Sequence, residues 1–132
     1  LKPVVFTDLI LFEDEDYIVI NKPPHFPTLE DRHETISIKE LAKAYWPDAQ
    51  MGHRLDKETS GALVIAKHPD AYRHISLQFE NREVLKTYHA VVDGIQDLED
   101  VNVYLPIETL KNGTVKIDKV NGKIAETFFN TL

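Results

Sequence analysis

Residues 53–61, HRLDKETSG, set His53, Arg54, Asp56, Lys57 and Glu58 around one apolar residue, Leu55, and then run through Thr59-Ser60-Gly61 into the apolar ALVIAK. A carboxylate placed between two basic neighbours at the mouth of a strand can serve as a nucleophile or as a salt-bridge anchor. For an isolated aspartate the anchor is the commoner role, and spacing alone does not choose. Glu58 supplies a second carboxylate, the pairing used in glycoside hydrolysis, but at i+2 in an irregular segment the separation is not fixed by sequence. His53 and Asp56 have no further cluster of His or carboxylate to complete a metal shell, so no metal is expected. Thr59-Ser60-Gly61 lacks both the glycine content and the following helix of a phosphate-binding loop, and reads as a tight turn into the strand.

The elements that must hold this stretch follow from period and punctuation. Leu9 to Phe12 and Tyr17 to Asn21 read as two strands joined by the acidic turn Glu13-Asp14-Glu15-Asp16. Lys22-Pro23-Pro24-His25-Phe26-Pro27 cannot continue a ladder, because proline lacks the backbone donor, and leaves the sheet as an extended loop. Lys22 there reads as a solvated charge. Ile38, Leu41, Ala42 and Tyr45 fall at i, i+3, i+4, i+7, and Ser37 with Glu40 has capping-box spacing, so a helix is expected to end before Pro47. Ala62 to Ala66 is unbroken enough to suggest a strand buried on both faces. Pro69 opens a second helix, with Tyr72, Ile75 and Phe79 on one side, ending near Asn81. Tyr45, Trp46 and Phe79 read as core residues.

Val84 to Val92, rich in β-branched and aromatic residues and closed by Asp93-Gly94, reads as a strand. Tyr88, alternating with Thr87 and His89, would then face core or cleft, and packing is the commoner use of such a tyrosine. Asn112-Gly113 and Asn121-Gly122 mark two hairpin turns flanked by Ile107 to Leu110, Thr114 to Ile117 and Ile124 to Phe129. The expected class is α+β, with a mixed, mainly antiparallel sheet and two helices, in a single domain over residues 1–132.

The bulk numbers bound the function. In 132 residues, 42% hydrophobic and 28% charged is a globular composition with enough apolar surface for a core. The absence of cysteine excludes disulfides and thiolate metal sites and fits a reducing, cytoplasmic setting. The apolar runs are too short to span a bilayer, so no membrane is expected, and the start at Leu1 has no signal-peptide layout and no initiator Met. A formal charge of -7 argues against simple nucleic-acid binding, but the charge is uneven. Lys/Arg stand 5 against 10 Asp/Glu in residues 1–50, 6 against 5 in residues 51–92, and 4 against 7 in residues 93–132. Four of the six histidines also lie in the middle third, so RNA, if bound, is expected there.

Four segments in order, FEDEDYIVINKPPHFPT (12–28), GHRLDKETSGALVIAK (52–67), FENREVLKTYHAVVDG (79–94) and GKIAETFFNTL (122–132), resemble the RluA-type RNA pseudouridine synthases. The resemblance implies that Asp56 is the catalytic aspartate of an enzyme that breaks the bond from uracil N1 to ribose C1′, turns the base and rejoins it through C5. It implies no metal and no cofactor, and structured RNA, rRNA or tRNA, as partner. Attack of the carboxylate on C1′, stabilisation of charge as a glycal forms, and addition to C6 all remain open. Tyr88 matches the family's active-site tyrosine and would stack on the uracil, a contact worth about 1 to 3 kcal/mol. Arg54 would press into the RNA where the uridine leaves the stack, His53 would also meet RNA, and Lys86 would support the site.

The family's domain continues to a Gly-Arg-Thr-His-Gln-type motif whose arginine pairs with the aspartate, and no such motif occurs before Leu132. The resemblance therefore implies a C-terminally truncated piece, inactive by itself. A catalytically incomplete RNA-binding fragment is the alternative reading. A glycosidase using Asp56 and Glu58 is a third, and nothing else in the chain resembles a sugar cleft.

Overall fold

The computed structural model describes residues 3–30 and 36–132 and divides the chain into two compact units, Leu1–Thr87 and Tyr88–Leu132. In the first unit a one-turn helix α1 (Phe6–Leu9) leads into strands β1 (Ile10–Glu13) and β2 (Tyr17–Lys22). The acidic turn between them is held by Asp14, whose Oδ1 accepts the Asp16 and Tyr17 amides at 2.9 and 2.7 Å. Helix α2 (Ile38–Tyr45), strand β3 (Gln50–Met51), strand β4 (Gly61–Ala66) and helix α3 (Pro69–Glu80) complete the unit. The strands form one antiparallel sheet in the order β1-β2-β4-β3.

Both long helices begin as their sequences dictate. Ser37 Oγ accepts the Glu40 amide and the Glu40 carboxylate accepts the Ser37 amide, which satisfies two of the donors a helix N-terminus leaves over. Pro69 sits in the first turn of α3, where its missing N–H costs nothing, and the helix stops at Asn81. The one-turn α1 is a third helix beyond the two expected.

The core lies on one face of β2 and β4. Ile18 pairs across from Ile65 and Ile20 from Leu63, all four fully buried, and Ile38, Ala42, Ala49, Phe6 and Leu55 close over them. At roughly 1.5–3 kcal/mol for each large apolar side chain taken from water, this cluster is the main force holding the unit. Strand β4 is not buried on both faces: Leu63 and Ile65 are covered, while Ala62 is exposed and Val64 half-covered, the alternation of an antiparallel strand.

Tyr45 and Trp46 are not core residues either. Each has a polar tip that finds a partner at the margin: Tyr45 Oη donates to Glu13 at 2.9 Å, and Trp46 Nε1 donates to the Lys67 carbonyl at 2.7 Å. Lys67 Nζ lies 4.3 Å from the centre of the Trp46 ring and 2.9 Å from Glu13, and also donates to the Asp14 carbonyl. One ammonium thus joins the acidic turn to the end of α2.

The second unit contains β5 (Val101–Thr109), β6 (Val115–Ile117) and β7 (Lys123–Phe129), antiparallel in the order β6-β5-β7. The Asn112-Gly113 hairpin holds, with Gly113 at φ +86° between the paired strands β5 and β6. Asn121-Gly122, by contrast, is no hairpin turn: it carries the chain from β6 to β7, which pair with β5 on its two sides, and an added Cβ on Gly122 would meet the Asp118 carbonyl. The class is α+β and every described strand pairing is antiparallel, in two sheets. Val84 to Val92, however, forms no strand and pairs with none of the described strands. Leu85 at 99% and Val91 at 103% exposure have no surface to pack on. Strand propensity measures how a side chain fits a half-buried pleated surface, and without a paired neighbour that preference has nothing to act through.

Candidate active-site loop

Asp56 lies in the first unit, in the irregular segment between β3 and β4, with its side chain exposed. Its neighbours on either side do the opposite. Leu55 is buried in the core cluster, and Lys57 is half-covered. The apolar residue enclosed by charges is therefore an anchor that pins the loop to the core and presents the next carboxylate outward.

A second loop, residues 23–28, supports the first. Thr28 Oγ1 donates to the Leu55 carbonyl at 2.6 Å and accepts the Leu55 amide at 3.3 Å. Phe26 N–H donates to the Lys57 carbonyl at 3.1 Å. Lys22, at the end of β2, is fully buried and donates to the carbonyls of Pro23 at 3.0 Å, Phe26 at 2.7 Å and Lys57 at 3.1 Å. An ammonium has three donors, and all three are used. Burial lowers the Lys22 pKa from its ordinary value, opposed by the negative charges of Glu58 and Asp56. Lys22 is thus no solvated charge. Sequence reasoning missed it because two of its carbonyl acceptors, on Phe26 and Lys57, come from residues that no local pattern links to it.

His53 is bracketed just as firmly. Its Nε2 accepts the Val64 amide at 2.9 Å, and its ring stacks on Phe79 with centroids 4.1 Å apart and planes at 14°. Burial, helped by the positive charge of Lys86, pushes its pKa down to about 4. The ring is neutral at pH 7, and because it accepts at Nε2 its proton sits on Nδ1. Phe79, expected in the core, instead forms the platform for this ring.

Arg54 is exposed on the same loop, and Lys86 is exposed in the extended segment that leaves α3. Pro27, Thr28, Leu29, Glu30, Arg54, Leu55 and Lys57 line a cavity of about 360 Å³ beside the loop. Gly61, with φ +119°, turns the loop into β4 at a conformation that side chains resist. Tyr88 belongs to the second unit and is 59% exposed. The structure therefore brings His53, Arg54, Asp56 and Lys86 into one unit. Among the described residues no group of three or more His, Cys, Asp or Glu is placed to hold a metal ion, and no helix is long and apolar enough to cross a membrane.

Residues 16–132 match the family model for RNA pseudouridylate synthase. The chain is 36% identical over 128 residues to the ribosomal large subunit pseudouridine synthase C of Vibrio cholerae, covering 93% of this chain and 40% of that protein. It is 34% identical over 134 residues to the tRNA pseudouridine synthase C of Yersinia pestis, covering 89% of this chain and 45% of that one. The chain thus spans less than half the length of these curated relatives. Among solved structures, human RNA pseudouridylate synthase domain containing 4 superposes with a TM-score of 0.67 at 26% identity, over 95% of this chain and 54% of the other. A profile match over nearly the whole chain, with the same fold in a solved relative, places this chain in the RNA pseudouridylate synthase family.

Proposed function

We propose that this chain is the larger part of a single domain, residues 1–132 included, that isomerises specific uridines in RNA to pseudouridine, with Asp56 as the catalytic residue. The observation that carries the reading is the loop itself: an exposed carboxylate on a backbone fastened at both neighbouring residues, within a family match over residues 16–132. The net reaction needs no redox partner. The N1–C1′ bond breaks, the uracil turns, a C5–C1′ bond forms, and the C5 proton leaves while N1 gains one. A fixed anion beside the sugar can take up C1′ covalently or stabilise its developing positive charge, and it acts in either case by being held ready.

The other site residues take distinct parts in this reading. Arg54 occupies the space in the RNA stack from which the uridine is extruded. Tyr88 stacks on the freed base. Lys86 supplies positive charge near the loop, and His53 meets RNA through Nδ1–H, the polar atom that its bond to Val64 leaves available. The substrate is rRNA or tRNA, the two classes in the names of the relatives. Release of tritium from C5-labelled uridine in RNA tests the reaction. Stoichiometric release with pseudouridine in the product is the expected result, and RNA binding without release would leave only a binding fragment.

A further inference from the structure

We propose that Lys22 and Thr28 are a two-point clamp that positions Asp56 by the carbonyl groups of the residues on either side of it. The inference rests on the reading of Asp56 given above and adds two residues that do not touch the substrate. Thr28 holds the Leu55 carbonyl, and Lys22 together with the Phe26 amide holds the Lys57 carbonyl, so Asp56 and Lys57 lie between two fixed peptide groups. Thr28 and Lys22 are both buried, so neither is available to RNA. Among the described residues no cation forms an ion pair with the Asp56 carboxylate itself. The clamp therefore acts on the backbone, and the side chain inherits its direction from there. The Lys22 ammonium satisfies its hydrogen bonds with neutral carbonyls alone, so its charge is not cancelled by a bonded carboxylate and reaches the loop as positive potential.

A reacting group displaced by about 1 Å loses roughly 100-fold in rate, and that is the expected effect of releasing either point of the clamp. In the full-length protein, Lys22→Met and Thr28→Val are compared with wild type for single-turnover isomerisation and for RNA affinity. Losses of at least about 30-fold in the chemical step, with RNA affinity within about threefold, are expected for both. This segment has no cysteine. Lys22→Cys, alkylated in the unfolded state with 2-bromoethylamine and refolded, restores an ammonium at nearly the same reach and is expected to recover most of the rate, whereas the unalkylated variant is not.

Amide hydrogen exchange at Leu55 and Thr59 reads the clamp without activity, and both amides should exchange faster in each variant. A wild-type rate in folded Lys22→Met or Thr28→Val overturns the clamp, as does a loss confined to RNA affinity. If Lys22→Met does not fold, Thr28→Val and the failure or success of the aminoethyl rescue decide the matter. Absence of isomerisation by wild type would defeat the catalytic reading alone, while unchanged exchange at Leu55 and Thr59 would defeat the clamp alone.

Discussion

His53 and Phe79 lie ring on ring, 4.1 Å between centroids, while the free edge of the imidazole accepts the amide of Val64. The arrangement needs an unprotonated Nε2. In the folded state the His53 pKa is pushed down to about 4 from 6.5, so the unfolded chain binds this proton more tightly. The stabilisation is present in full above about pH 6.5 and is lost as pH falls from there towards about 4. Urea midpoints measured across that window should fall with pH in wild type. His53→Gln should flatten the fall, at the cost of a lower midpoint at pH 7.

Asp56→Asn keeps the size and polarity of the side chain and removes its negative charge. The expected outcome is a loss of at least about 1,000-fold in isomerisation, the scale on which removal of a reacting group is felt. Thermal unfolding and RNA affinity should stay near wild type, because the side chain is exposed and the loop is fastened through its neighbours. Near-normal turnover by the Asn variant would remove Asp56 from the chemistry.

Arg54→Ala should weaken binding to structured RNA more than to a short flexible strand, because only the former has a stacked base to displace. If the guanidinium also meets a phosphate, the slope of log affinity against log salt becomes shallower by about 1. Fluorescence anisotropy on both RNAs over a salt series measures both effects. Equal losses on the two substrates would mark Arg54 as structural.

Leu55→Ala removes the buried anchor next to the catalytic position. A loss of about 2–5 kcal/mol in unfolding free energy is expected, the range for a large aliphatic residue cut back inside a core. Denaturant titration gives that value. A loss below about 0.5 kcal/mol, the size of a surface substitution, would contradict the place of Leu55 in the buried core cluster.

Ser37→Ala should cost about 1 kcal/mol by breaking the capping box of α2. This element was legible in sequence because capping is local: donor, acceptor and the apolar period all fall within a dozen residues. The same holds for the Pro69 start of α3 and for the Asn112-Gly113 turn. The strand expected at Val84 to Val92 failed for the opposite reason, since a strand is half of a pair and its partner is nowhere in its own letters. The loop was legible as a cluster of charges around Leu55, and its purpose came from resemblance. Its supports were not legible. A lysine is almost never fully buried without partners, and Lys22 finds its partners in carbonyls, which every residue carries and no sequence pattern displays. Tyr45 and Trp46 misled in the same way, because a ring in an amphipathic pattern does not announce that its polar tip needs an acceptor at the edge.

The register of β2 against β4, running from Tyr17 opposite Ala66 to Lys22 opposite Gly61, delivers the two loops to the same end of the sheet. This sets an order of events during synthesis on the ribosome. The β1–β2 hairpin closes over a short turn and can form as soon as it emerges, on a timescale of roughly 1–10 μs. The carbonyls around Asp56 can be gripped only after Gly61 to Ala66 has also left the exit tunnel and zipped onto β2, because that pairing carries the far loop to Lys22 and Thr28. At roughly 5–20 residues per second, the nascent chain exposes an unsupported aspartate loop for about 0.5–2 s before the end of the strand that completes it arrives. A translational pause placed just before β4 would lengthen that interval, and one placed after it would not.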